Sequence, residues 1–383
     1  MTASGPDPAS PGSRRPLSAV VLAAGEGTRM RSARPKPLHM LCGRAMVLYV
    51  LDALGECSAD RAVIVVGHGA ERVTKKLHEA TPQLTLEFVE QRVQRGTGDA
   101  VMVGLTAFPD DDDADDGDVL VLPGDTPLLR PETVANLVRE HRLSGAACTI
   151  LTAELDDPTG YGRVVRQKDG TVARVVEQGD ATPEERAITE VNTSIYCFRR
   201  SVLAPALRRV TPDNVQGEYY LTDVIEVLRS AGYPVVAVVV ADPHETNGVN
   251  DRVQLARAEA ELRRRINRRW LRAGVTMVDP EQTYVDVTVQ LAPDVTLFPG
   301  VLLQGATVVN GGAEIGPGTH LVDCVVGENA RVDNTLGRDA DIGDGAVVGP
   351  YAVLEPGSRV PSGTRTGPFY TATGDEPGRR AWS

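Results

Sequence analysis

The sequence predicts an α/β domain on a mostly parallel sheet, followed by a parallel β-helix. Two observations carry this. From residue 18 to about 250, apolar strand-like runs alternate with helix-period stretches, a pattern that lays helices on both faces of a parallel sheet. Beyond Gly274, aliphatic residues recur every six positions, as stacked flat coils require.

In chain order, residues 1–17 form a Pro/Ser-rich flexible tail with Arg14 and Arg15. The apolar run that follows, 19–24, is too short for a secretory segment. Strands are predicted at 19–22, 62–66, 118–122, 147–151, 196–198 and 235–240, with helices at 45–54, 131–141 and 222–231. Such sheets hold ligands at the carboxyl ends of their strands. The run 110–118 contains seven Asp, whose mutual repulsion makes it a solvated loop. These elements define a first domain, 18–250. Residues 251–273 form a connecting helix, in which Glu259 and Glu261 supply ion pairs to the basic stretch 263–269. The β-helix spans 274–369, and 370–383 is a tail. Its inward aliphatics fall in two phases: Leu297, Leu303, Val309, Ile315 and Leu321, then Leu336, Ile342, Val348, Leu354 and Val360. Two positions ahead of most of them stand small or branched residues such as Thr307, Ala313, Thr319, Ala340, Ala346 and Ala352.

Composition narrows the function. Of 383 residues, 42% are hydrophobic and 24% charged, the balance of a globular protein. A net charge of -12 argues against a general nucleic-acid or anionic-membrane binder. Any anionic ligand must then be held by a local cluster of cations. No apolar run approaches the ~20 residues of a membrane span. Five scattered cysteines without a CxxC suit reduced, mostly buried thiols in a cytoplasmic protein. His39 and His68 read as loop or core histidines.

The chemistry is concentrated after the first strand, in Leu22-Ala23-Ala24-Gly25-Glu26-Gly27-Thr28-Arg29-Met30 followed by Pro35-Lys36-Pro37-Leu38. Its glycines allow a tight turn that presents N–H groups to phosphate oxygens. The third glycine of a dinucleotide fingerprint and the Gly-Lys-Ser/Thr of a phosphate loop are both absent. Further motifs follow in order: Gln91-x-x-Gln94-x-Gly96-Thr97-Gly98, Gly124-Asp125-Thr126, Gly160-Tyr161-Gly162-Arg163, Val176-Glu177-Gln178, Glu190-Val191-Asn192-Thr193, Gly217-Glu218-Tyr219-Tyr220-Leu221-Thr222-Asp223 and Gly248-Val249-Asn250.

Together these motifs resemble the bacterial bifunctional N-acetylglucosamine-1-phosphate uridylyltransferase / glucosamine-1-phosphate acetyltransferase family, over roughly residues 18–357. The resemblance implies a Rossmann-like nucleotidyltransferase domain and a shortened left-handed parallel β-helix of hexapeptide repeats. It implies UTP and N-acetylglucosamine-1-phosphate as substrates, Mg²⁺ as cofactor, and a homo-oligomer, with a trimer favoured. Carried over residue by residue, Arg29 and Lys36 hold phosphates as the catalytic cations. Leu22, Ala23, Ala24, Gly25, Gln91, Gln94, Gly96 and Thr97 receive the nucleotide. Tyr161, Gly162, Glu177 and Asn192 hold the sugar, and Asp125 and Asn250 hold the metal. The 219–223 stretch serves structure, with Thr222 or Asp223 capping a helix. Pro123, Ser194, Gly179 and Pro37 depart from the family's usual pattern, which bears on sugar identity more than on reaction type. The acetyltransferase half is not expected to work. His320 is the sole histidine of the hexapeptide region, and Glu355 stands where the family has a phosphate-binding Arg. Alternatives are a nucleotidyltransferase for another sugar-1-phosphate or dTTP, a hexapeptide acyltransferase, and a non-catalytic β-helix scaffold.

Overall fold

The computed structural model describes residues 15–57, 59–67, 69–80, 85–108 and 117–374. Most of the N-terminal tail, His68, most of the acidic run and the last nine residues of the C-terminal tail lie outside them. By its contacts the chain forms two units. One holds the residues up to His39 and Met46–Arg252, and the other Met40–Ala45 and the residues from Val253 onward.

Strand β1 (Leu17–Ala23) opens the first unit, and the hairpin β2 (Met40–Leu41)–β3 (Arg44–Ala45) belongs to the second. Then come β4 (Arg61–Val66), β5 (Leu86–Glu90), β6 (Asp118–Pro123), β7 (Cys148–Glu154), β8 (Arg163–Arg166), β9 (Val172–Val176), β10 (Glu190–Arg199) and β11 (Val235–Val239). The helices are α1 (Met46–Asp52), α2 (Ala70–Ala80), α3 (Thr97–Leu105), α4 (Pro131–Ser144), α5 (Pro183–Arg186), α6 (Arg200–Leu207), α7 (Asp223–Ser230) and α8 (Arg252–Arg272). The sheet runs β11-β7-β10-β6-β1-β4-β5, with the β8–β9 hairpin attached to β10. It is parallel from β5 to β6, whereas β10 lies antiparallel to both its neighbours.

Six of these strands follow the apolar runs of the sequence. The other three hide for physical reasons. β5 is a half-buried edge strand with two glutamates, and β8 and β9 carry Arg163, Arg166 and Arg174 among their valines.

Register decides where the site falls. Leu22 of β1 pairs with Pro123 of β6, and Ala23 with Val66 of β4. The turns after these three strands therefore open side by side at one sheet edge.

At the opposite edge, Asp118 begins β6 with its side chain fully buried. Arg142 Nε donates to it at 2.7 Å, and the His141 Nε2 stands 3.5 Å away. Burial pushes the Asp118 pKa up, but His141 and Arg142 outweigh it and hold the carboxyl below its ordinary value. A depressed carboxylate stabilises the fold above its unfolded pKa, and this contribution is lost as pH falls through the folded value. Asp118→Asn should therefore cost about 1–3 kcal/mol at pH 7, because it removes the buried carboxylate that accepts from the partly exposed Arg142. The difference from the parent should shrink below about pH 4. Denaturant unfolding at pH 7 and in acid checks both statements.

In the second unit, three parallel sheets stack their inward residues in rows. One row is Met277, Leu297, Ile315, Val332 and Val348. Another is Leu291, Val309, Val326, Ile342 and Val360. The third is Val285, Leu303, Leu321, Gly337, Leu354 and Ala372. Nine of the ten expected aliphatics are buried, and Leu336 is the exception, 55% exposed. The inward slot there belongs to Gly337, where a Cβ would lie 2.8 Å from Leu321 Cδ2 and 3.3 Å from Cys324 Sγ. The steps from Leu321 to Val326 and from Val332 to Gly337 to Ile342 each span five residues, so a strict count of six points Leu336 the wrong way. Ala372 extends its row past Val360, into the stretch read from sequence as a tail.

In α8, Glu261 pairs with Arg264 and Arg265 as expected, at 2.7 and 2.8 Å. Glu259 does not pair with the basic stretch; its carboxylate accepts the Cys42 backbone N–H at 2.9 Å. Cys42 has a left-handed backbone, φ 42°.

Candidate functional site

The turn after β1 is built around a contact that excludes a side chain. Gly27 sits at φ 64°, and a Cβ there would come within 2.8 Å of Lys36 Cβ. The loop therefore folds back on itself and brings the single-turn helix Lys36–Leu38 against Thr28–Met30. Backbone bonds then draw two distant turns to the same place. Gly124 N–H donates to Leu22 O at 2.8 Å, and Val249 N–H donates to Asp125 O at 2.9 Å.

Four of the expected residues converge here. Lys36 Nζ donates to Asp125 Oδ2 and, at 2.8 Å, to Asn250 Oδ1. Arg29 Nη2 reaches the same Asn250 oxygen at 3.1 Å. The Lys36 and Asp125 side chains are 14% and 22% exposed, sheltered but open to a ligand. One carboxylate and one amide oxygen thus aim at a single cationic point. That donor set fits a hard divalent cation that keeps water and phosphate oxygens as its remaining ligands. Among the described residues no cluster of three His, Cys, Asp or Glu offers an all-protein cage.

On the other side of the β1 turn, Gln94 Nε2 donates to Ala24 O at 2.5 Å. Gln91, buried at the end of β5, gives its Nε2 to Asp99 Oδ2 at 2.8 Å and lies 3.4 Å from Gly96 O. Asp99 stands outside the residues to which the sequence motifs assign a role. It lies in the first turn of α3, where an acidic side chain complements the helix dipole, and it also binds Arg95 at 2.7 Å. Thr97 Oγ1 is engaged structurally, accepting Leu221 N–H at 3.0 Å. Leu22, Ala23, Ala24 and Gly25 line this turn, and Gly96 leads into α3 with φ 110°.

The third group forms where β8, β9 and β10 meet. Asn192 N–H donates to Gly162 O at 2.8 Å, and a Cβ on Gly162 would lie 3.3 Å from Glu177 Oε2. Burial raises the Glu177 pKa, with Asp223 and Asp180 adding to the rise and a Thr222 hydrogen bond opposing it. Burial and nearby Asp125 raise the Tyr161 phenol, which links this group to the Lys36 cluster.

The expected capping role of Thr222 is not what the structure shows. Its backbone is helical and its side chain makes no cap; the hydroxyl donates to Glu177 Oε1 at 3.1 Å instead. Arg163 closes the 160–163 motif. Only 1% exposed, it donates to Tyr161 O and, at 2.8 Å, to Gln178 Oε1. It thereby pins the Tyr161–Gly162 turn from beneath. His39 is buried and loses basicity to burial and to Arg252, as a core histidine should.

The family model for a MobA-like NTP transferase domain matches residues 19–214. The bifunctional protein GlmU of Streptomyces coelicolor is 49% identical over 359 residues, spanning 94% of this chain and 73% of that protein. The bifunctional protein GlmU of Mycobacterium tuberculosis is 46% identical over 352 residues, 91% of this chain and 70% of the relative. That of Heliobacterium modesticaldum is 43% identical, spanning 92% and 75%. With its transferase sheet, its β-helix and this similarity along both, the chain belongs to the GlmU family and is a sugar-1-phosphate nucleotidyltransferase.

Proposed function

We propose that the chain makes UDP-N-acetylglucosamine and pyrophosphate from UTP and N-acetylglucosamine-1-phosphate, with Mg²⁺. The observation that carries this reading is the convergence of Lys36, Arg29, Asp125 and Asn250 on one point, in the same unit as the Gly162–Glu177–Asn192 group. The two reactants are polyanions, and the nucleophile is a phosphate oxygen already charged at neutral pH, so no protein base is required. Catalysis then consists of positioning and charge neutralisation.

Arg29 offers a planar fork to phosphate oxygens, and Lys36 a compact ammonium. Gln91 and Gln94 are amides suited to a base edge that both donates and accepts. Glu177 accepts from a sugar hydroxyl, and Asn192 with the Gly162 backbone pairs with the acetamide. Asp125 and Asn250 would hold Mg²⁺, which when bound supplies positive charge to the triphosphate. The products of the Mg²⁺-containing reaction, followed by ³¹P NMR, should be UDP-N-acetylglucosamine and pyrophosphate in equal amounts. Turnover only with another sugar phosphate or with dTTP would favour the retuned enzyme.

We also infer that this chain does not acetylate glucosamine-1-phosphate. His320 Nε2 is tied to Gln304 Oε1 at 2.8 Å, and the exposed Glu355 would repel a sugar phosphate. Acetyl-CoA with glucosamine-1-phosphate should release no free thiol above a no-enzyme control. Release that tracks the protein and disappears in His320→Ala would contradict this.

The outward Leu336, Tyr351, Val353 and Phe369, all exposed, support self-association through the β-helix, with a trimer as the proposed state. A cytoplasmic setting is supported by five free cysteines, four of them buried. Among the described residues no helix is long and apolar enough to cross a membrane.

A further inference from the structure

The two oxygens best suited to hold a divalent cation, Asp125 Oδ2 and Asn250 Oδ1, already share one: the Lys36 ammonium, which donates to both. We propose that Lys36 is an internal latch on the cation site. In the free enzyme its ammonium occupies the place of the metal, and nucleotide phosphates draw it away, so that metal and nucleotide enter together. This rests on the reading of Asp125 and Asn250 as metal ligands.

A cation held by these same two oxygens must displace the ammonium. Asp125 and Asn250 come from turns 125 residues apart that the Val249 N–H to Asp125 O bond joins, and Asp125 Oδ2 and Asn250 Oδ1 both accept from Lys36 Nζ. A lysine ammonium is a point charge with three tetrahedral donors, able to fill an ion's position in a way a planar guanidinium is not. The residue type is informative, for the chain uses 36 arginines and only four lysines. Arg29 shows the contrast: its Nη2 reaches the Asn250 oxygen at 3.1 Å, while it is Lys36 that donates to both oxygens.

A triphosphate changes the balance in two ways. It offers Lys36 an anion of higher charge than Asp125, and it carries oxygen ligands that complete the metal's shell. Occupancy by Lys36 reduces the apparent affinity for metal alone by the fraction of enzyme in the open state.

The test measures binding of Mn²⁺ to the full chain by electron paramagnetic resonance, with no substrate and then with UTP. The parent protein should bind Mn²⁺ weakly alone. Lys36→Met should bind it at least about tenfold more tightly, because removing an internal cation removes its competition. The double variant Lys36→Met/Asp125→Ala should lose that gain, which locates it. Lys36→Gln, whose amide cannot replace the charge, should behave like Lys36→Met and guards against a packing effect. If the parent and Lys36→Met bind Mn²⁺ equally tightly without nucleotide, the latch is wrong and the ligand assignment stands. If Asp125→Ala binds Mn²⁺ as well as the parent in the presence of UTP, the ligand assignment fails and the latch with it.

Discussion

Asp125→Ala should abolish divalent-dependent turnover, lowering kcat about 10³-fold or more while the protein remains folded. A thousandfold loss is about 4 kcal/mol of transition-state stabilisation, the scale expected when charge neutralisation at a departing phosphate is removed. The substitution also leaves the half-buried Lys36 with Asn250 as its one remaining partner in this cluster. Asn250→Ala should act in the same direction, and its partial rescue by Asn250→Asp would identify the oxygen as the functional atom. Far-ultraviolet circular dichroism separates loss of activity from loss of fold. Near-normal turnover of Asp125→Ala at ordinary Mg²⁺ would remove this residue from the site.

Asn192→Ala should erase most of the preference for the N-acetylated sugar phosphate over glucosamine-1-phosphate. Leaving an acetamide without its buried partner costs about 1–3 kcal/mol, or roughly 5- to 150-fold in catalytic efficiency. The loss should fall on KM for the sugar phosphate, with KM for UTP unchanged, because Asn192 belongs to the Gly162–Glu177 group and not to the β1 turn. Steady-state kinetics with both sugars checks the split. Equal loss toward both sugars would mean that Asn192 holds the fold of β10 and reads nothing of the ligand.

Much of this site was legible because its residues follow strand ends. Asp125 comes directly after an apolar run and a glycine, and Lys36 lies a fixed distance beyond a glycine-rich turn. Parallel sheets deliver such positions to one edge. What could not be read were contacts made between motifs. Asp99 is linked to Gln91 by a side-chain hydrogen bond. Thr222 turns from its cap position to Glu177 because a buried carboxylate needs a donor more than an N-terminal amide needs an oxygen. Neither event leaves a periodic trace. The β-helix failed at one place for a related reason: its hexads are periodic only while every turn has the same length. Where the steps shorten to five, the inward slot between Leu321 and Leu354 has room only for the glycine at 337. The β2–β3 hairpin shows the limit of linear domain boundaries. It is embedded in the transferase sequence, yet its Cys42 N–H is satisfied by Glu259 of α8.

The most direct test of the central claim is a matrix of the four ribonucleoside triphosphates and dTTP against N-acetylglucosamine-, glucosamine- and glucose-1-phosphate. Each pair is scored by pyrophosphate release with Mg²⁺ and with excess chelator. The account predicts one dominant cell, UTP with N-acetylglucosamine-1-phosphate, and its loss on chelation. A dominant cell elsewhere in the matrix, or pyrophosphate release unaffected by chelator, would contradict it.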